Sequence, residues 1–120
     1  MFEIPVWDLL SSYSGDSKEL EFKWEIPDWF YGEFNFTKPL ELKIKIIWLD
    51  NWVDVVIEKL STAVRYWDVI KFINVENVDR EFRSHFDPLN PDDIKYISKN
   101  GWTIDLKDII KEEILIQCID

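Results

Sequence analysis

His85 is the one histidine of this 120-residue chain, and it stands in the run HFDPLNPDD beside Asp87, Asp92 and Asp93. Carboxylates and carbonyls in a loop suit a hard cation such as Ca²⁺ or Mg²⁺. The spacing matches no calcium loop, so a solvated surface loop is the simpler expectation. A lone histidine excludes a two-histidine metal site, and Ser84 beside it is adjacency in sequence rather than attack geometry. The single cysteine, Cys118, excludes a disulfide framework and a cysteine zinc site within one chain. Glu112 and Glu113 are neighbours that point in different directions on a helix, so they read as a charged flank rather than a proton-sharing dyad. Gly15, Gly32 and Gly101 stand apart, which leaves no phosphate-cradling loop. The residues predict no catalytic group, no cofactor and no metal. A metal-dependent nuclease would need several of Asp87, Asp92, Asp93 and Glu76 to converge within ligand distance.

The aromatic residues carry a stronger signal. In PDWFYGEFNF, residues 27–36, the rings of Trp29, Phe30 and Tyr31 are consecutive. An extended chain cannot turn all three to one core, so at least one should be exposed or packed under a loop. These three form the candidate interaction surface. Base stacking usually comes with flanking Arg or Lys, whereas the neighbours here are Asp28 and Glu33, which favours a protein contact. A locally folded aromatic turn is the structural alternative. Direct RNA binding would need Arg80, Arg83, His85, Lys43 and Lys45 to be gathered near those rings. Arg80 and Arg83 otherwise pair with Asp79 and Glu81, or face solvent.

Composition sets the frame for these residues. The chain is 47% hydrophobic and 32% charged, with seven Trp and eight Phe, a globular balance that fits a single domain over 1–120. Its net charge of −10 leaves no basic footprint for phosphate backbones and suits a basic partner, or simply solubility. The start, MFEIPVWDLL, lacks a basic segment, so a signal peptide is not expected. The longest apolar run, IIWL, is far short of a membrane span. A cytoplasmic protein without membrane contact is the expectation.

Periodicity then places the elements. Residues 19–26 (ELEFKWEI) alternate, with Leu20, Phe22, Trp24 and Ile26 on one face and Glu19, Glu21, Lys23 and Glu25 on the other, closed by Pro27. Residues 40–49 (LELKIKIIWL) repeat the pattern, and the opposed outer charges suit pairing across a sheet. Residues 52–60 predict a third strand after a tight DN connection. A short opening strand and a helical turn within 6–14 precede them. From 61 to 86 strand and helix both remain open. Residues 94–97 and 102–104 suggest a small hairpin. From Asp105, a natural N-cap, a helix follows with Leu106, Ile109, Ile110, Ile114 and Cys118 as its apolar stripe. The fold class is α+β: an antiparallel, partly closed sheet or barrel of about five to seven strands with a C-terminal helix.

That closing stretch, TIDLKDIIKEEILIQ, resembles the C-terminal signature of the YceD family, the large ribosomal RNA subunit accumulation proteins. The matching residues are Ile104, Asp105 and Leu106, then Ile109 and Ile110, then Glu112 and Glu113 before Ile114, Leu115 and Ile116. The layout upstream is similar: IPVWDLL near the start, LSTAVRYWDVI in the middle, then VDREFRSHF and an acidic PDD loop. The family's Cys-x-x-Cys-like element is missing, with Trp67 and Ile70 in its place. Thiolate ligation or redox chemistry cannot occur there, and Trp and Ile, good core fillers, make the position structural. The resemblance implies a non-enzymatic factor supporting large-subunit ribosomal RNA accumulation. Its partner would be a basic ribosomal protein or a pre-large-subunit particle. Direct RNA binding and an interaction domain of accidental likeness are the alternatives.

Overall fold

A computed structural model describes residues 2–10, 13–50, 52–83, 89, 95–98 and 102–119. The architecture is α+β. In chain order the elements are β1 (Glu3–Pro5), α1 (Trp7–Leu10), β2 (Ser17–Trp24), β3 (Asn35–Phe36), β4 (Leu40–Leu49), β5 (Trp52–Tyr66), β6 (Val69–Val75), β7 (Val78–Arg83), β8 (Lys95–Tyr96), β9 (Thr103–Asp105) and α2 (Lys107–Ile119). Strands β2 to β8 form a seven-stranded sheet in the order β2-β4-β5-β7-β8, with β3 and β6 also paired to β5. All its pairings are antiparallel except β7 with β8. It does not close into a barrel.

The alternation of β2 and β4 survives intact. Leu20 lies opposite Ile44 and Phe22 opposite Leu42 on the inner face, while Glu21 meets Lys43, Glu19 meets Lys45 and Lys23 meets Glu41 on the outer face. Strand β5 runs well past residue 60, because its apolar pattern changes phase rather than ending. Val53, Val55 and Ile57 face the core, and so do Leu60 and Val64. A bulge absorbs the slip: Lys43 pairs with Lys59 but Ile44 with Ile57. Across the other edge of β5 the same step appears, since Val75 pairs with Leu60 and Val78 with Ile57. Glu76 and Asn77 fill the gap, with Asn77 in the left-handed region at φ 57°. Residues 61–83 are therefore strand apart from the turn at 67–68 and the break at 76–77, the helical option falls there, and 84–86 lie outside the described residues. Apolar spacing there mimicked a helix because β6 carries apolar side chains on both faces, Ile73 and Val75 inside and Ile70 and Phe72 outside.

The concave face is covered by α2 and by the ribbon of β1 and β9, where Ile4 pairs with Ile104. Of the expected hairpin over 94–97 and 102–104, the described residues show one bridge, Ser98 with Thr103. Its two arms found other partners, β7 for Lys95–Tyr96 and β1 for Thr103–Asp105. Asp105 caps α2 by accepting a hydrogen bond from the Lys107 amide at 2.9 Å. Ile104, Leu106, Ile109, Ile110, Ile114 and Cys118 are all buried. Burial also pushes the Cys118 thiol above its ordinary pKa, against the pull of Lys71.

Three expectations are corrected here. Glu113 is no exposed flank: it is only 7% exposed, and with Glu112 it grips Arg80 on the inner face of β7. Arg80 Nη1 donates to Glu112 at 2.9 Å and Nη2 to Glu113 at 2.5 Å, while Lys95 adds a 3.0 Å bond to Glu112. Arg80 thus bypasses Asp79, although Arg83 does pair with Glu81 at 3.1 Å. Burial works against the Arg80 charge, but the hydrogen bonds and charges of Glu113 and Glu112 hold its pKa up. Trp67 and Ile70, expected as core, are 82% and 48% exposed at the β5–β6 turn. Arg80→Met should strand Glu113 and lower the unfolding free energy by about 3 kcal/mol. Urea titration reads this, and adding Glu113→Leu should recover most of the loss.

Candidate protein-binding surface

The run after Pro27 folds back as a turn, with the Phe30 amide donating to the Pro27 carbonyl at 3.1 Å. The three consecutive rings then separate. Tyr31 goes inward and is 3% exposed, Phe30 is half-buried, and Trp29 stays 79% exposed. The expected three-ring surface thus reduces to Trp29, with Tyr31 removed from any surface. The physical reason is the aromatic chain below it. Phe2 meets Trp24 at 4.8 Å and Phe30 edge-on at 5.2 Å, and Tyr31 meets Phe30 at 4.9 Å and Phe34 at 5.1 Å.

Two bonds fasten this loop to α2. The Tyr31 hydroxyl donates to the Lys107 carbonyl at 2.7 Å. Lys111 Nζ reaches Glu33 at 2.7 Å, and its hydrogen bond holds the Glu33 carboxyl below the usual range. Lys107 Nζ also lies 5.2 Å from the Phe30 ring. Arg65, opposite Asn35 across β3 and β5, is a further basic group beside the loop. Lys43 and Lys45 sit on β4, and Arg80 faces the opposite side of the sheet from Arg83, so these four described residues do not share one face at the loop.

A second surface emerges that the sequence reading did not anticipate. Trp67 and Asp68 make the two-residue β5–β6 turn between the paired residues Tyr66 and Val69, both left-handed at φ 50° and 61°. Asp tolerates that region, whereas a bulky aromatic residue there is a genuine outlier. Beside the turn a groove of about 670 Å³ runs between the aromatic loop and the end of α2, lined by Phe34, Arg65, Tyr66, Trp67, Leu115 and Ile119. Trp67 packs edge-on against Tyr66 at 6.2 Å, and Ile119 is 69% exposed. The only sequence cue was the aromatic pair YW ahead of Asp68, which composition assigned to the core.

The remaining candidates are quickly placed. Ser84, His85, Asp87, Asp92, Asp93 and Gly101 lie outside the described residues, and Glu76 is an exposed turn residue. Among the described residues no group of three His, Cys, Asp or Glu side chains is disposed to hold a metal ion. On the outer face burial, then the charges of Asp79 and Glu81, push the Asp54 carboxyl up. No helix among the described residues is long and apolar enough to cross a membrane.

Burial, reinforced by Asp105, Asp108 and Glu33, pushes the Tyr31 phenol well above its ordinary 10.0. The folded state then keeps a proton that the unfolded chain sheds, so stability should fall as pH rises above about 10. Tyr31→Phe should lose about 1 kcal/mol at neutral pH with its hydrogen bond. It should also lose that alkaline slope, as read by denaturant melts across the pH range.

Comparison with known protein families, with curated proteins and with solved structures gives no match for this chain.

Proposed function

We propose that the chain is a non-enzymatic, cytoplasmic binding protein that docks a basic protein segment in the groove beside Trp67. The observation that carries this reading is an 82% exposed tryptophan held in a left-handed turn conformation that glycine or asparagine would occupy at lower cost. Local strain of about 1–3 kcal/mol is retained in proteins mainly where the strained residue has a task. An exposed tryptophan at the rim of a groove that mixes Phe34, Leu115 and Ile119 with Glu33, Arg65 and Asp68 is the residue type that anchors protein contacts. The net charge of −10 favours a basic partner in the encounter. The likeness of residues 104–116 to the YceD signature points to a ribosomal protein or a pre-large-subunit particle as that partner, and so to large-subunit ribosomal RNA accumulation.

A direct RNA contact has one observation in its favour. Lys23, Lys38 and Lys59 line an outer-face groove with Phe72, whose ring is 74% exposed with Lys38 Nζ at 5.3 Å. Glu41 and Glu76 share that groove, and their charge counts against a phosphate backbone, so protein docking is preferred.

The test is sedimentation of the tagged chain in lysate gradients at low magnesium, where ribosomal subunits separate. Wild type should travel with large-subunit precursors, and Trp67→Gly should remain at the top. The same variant should melt about 2–6 °C higher, because the turn is relieved. A Trp67→Gly chain that sediments like wild type would remove the groove from the function. If Lys38→Glu alone abolishes migration, the RNA reading takes its place.

A further inference from the structure

We infer that the outer edge of β2 is a self-association site, where two copies of the chain pair antiparallel and join their sheets across a two-fold axis.

The two borders of the sheet are treated differently. On the far border β8 pairs with β7, and α2 seals β6 with one side chain. Gln117 Nε2 donates to the Asn74 carbonyl at 3.1 Å and its Oε1 accepts from the Asn74 amide at 3.2 Å. That amide reproduces what one residue of a neighbouring strand would offer. Strand β2 is the other border, and it pairs with β4 alone among the described residues. Its eight residues run without a proline or a bulge, two of the devices that blunt an edge, and its charges are of both signs. Lys18 guards only its start, where it is tied to Asp8 at 3.1 Å and to the Pro5 carbonyl at 2.8 Å. The inward side chains Leu20, Phe22 and Trp24 are only half-buried, with Phe22 and Trp24 stacked at 4.4 Å. An additional strand would finish covering them.

The outward side chains say what that strand is. In an isologous antiparallel pair centred on Phe22, Glu21 of each copy lies opposite Lys23 of the other, so two opposite-charge pairs form at once. On the inner side Phe22 meets Phe22 and Leu20 meets Trp24, an apolar row throughout. The like-charge encounter of Glu19 with Glu25 occurs once on each side of the axis, and both lie beyond the last strand residue, Trp24. Centring on Glu21 instead would also form two Glu19–Lys23 pairs, but it would set two glutamates against each other at the axis and push Lys18 onto Trp24. Glu21 is not committed elsewhere, since its contact with Lys43 is 3.9 Å long and its side chain is 76% exposed. The segment is thus complementary to itself, and the occupant is a second copy.

The test uses the full chain and two charge reversals, Glu21→Lys and Lys23→Glu, at exposed positions that face Lys43 and Glu41 across the β2–β4 ladder, so a denaturant melt of each variant is read beside its mass. Sedimentation equilibrium of wild type near 50 µM, a range in which edge-strand dimers are detectable, should give twice the 14.5 kDa chain mass. Each reversal alone sets like charges across both pairs and should weaken dimerisation about tenfold or more. Mixed in equal amounts, the two variants should form a one-to-one heterodimer, resolved by mass in native mass spectrometry. A wild type that stays monomeric overturns the inference, as do single variants that dimerise unchanged. Failure of the mixed variants to pair overturns the register and with it the argument for a second copy. Circular dichroism confirms that each variant is folded, and Trp67→Gly should dimerise like wild type, which separates this edge from the groove.

Discussion

Strand β5 takes hydrogen bonds along both of its edges, from β3 and β4 on one side and from β6 and β7 on the other. Fifteen residues at about 3.3 Å each span close to 50 Å, which accounts for the 46 Å long axis of the molecule. A strand of that length cannot stay flat and keep one face dry. The chain bends it at Glu58 and Lys59, where an extra residue lets Ile57 and Leu60 both face inward. Strand β4 runs past the bulge unbroken, with Lys43 opposite Lys59 and Ile44 opposite Ile57, while the row on the other side breaks at the same level at Glu76–Asn77. Curvature introduced this way gives α2 and the β1–β9 ribbon a concave face to fill. It also sets the limit of closure, since the bend brings neither border of the sheet to the other.

Fastening α2 into that concavity depends on polar as well as apolar contact. Its apolar stripe supplies area, but stripes slide, whereas the Arg80–Glu113 pair fixes one position along β7. Pairs of this kind contribute little net stability, because desolvation offsets most of the attraction. Their directional geometry selects a register, and Gln117 on Asn74 does the same at the far end of the helix. With the helix held at both ends, the Tyr31 and Lys111 contacts settle the aromatic loop against it, and the groove beside Trp67 follows from those placements.

Much of this was legible wherever one face is dry and the other wet. Strand β4 was readable to the residue because Leu40, Leu42, Ile44 and Ile46 alternate with charges, and α2 because Asp105 announces its start. Strand β2 was displaced by two residues, since Glu25 and Ile26 continue the alternation after the ladder has ended. Residues 61–83 were ambiguous for a definite reason. A bulge shifts the period within β5, and β6 is apolar on both sides, so no single-face pattern survives. Glu113 was misread because its partner lies 33 residues away in sequence, beyond any local rule. Trp67 was misread because residue type speaks for burial, while the two-residue turn that exposes it is set by the pairing of Tyr66 with Val69.

The left-handed residues separate structure from task. Asp50, Asp68 and Asn77 are types that tolerate positive φ, and each lies between strands. Two tryptophans do not fit that rule. Trp102, at φ 51°, directs its carbonyl to the Val6 amide at 2.9 Å and so ties the start of the chain to β9; its strain is offset by a bond the fold needs. Trp67 has no comparable structural return, because its ring touches Tyr66 and otherwise faces solvent. Glycine at that turn would keep the Tyr66–Val69 register and remove the strain. What glycine would not keep is the indole at the groove's rim, and that ring is the feature which distinguishes this turn from an ordinary one.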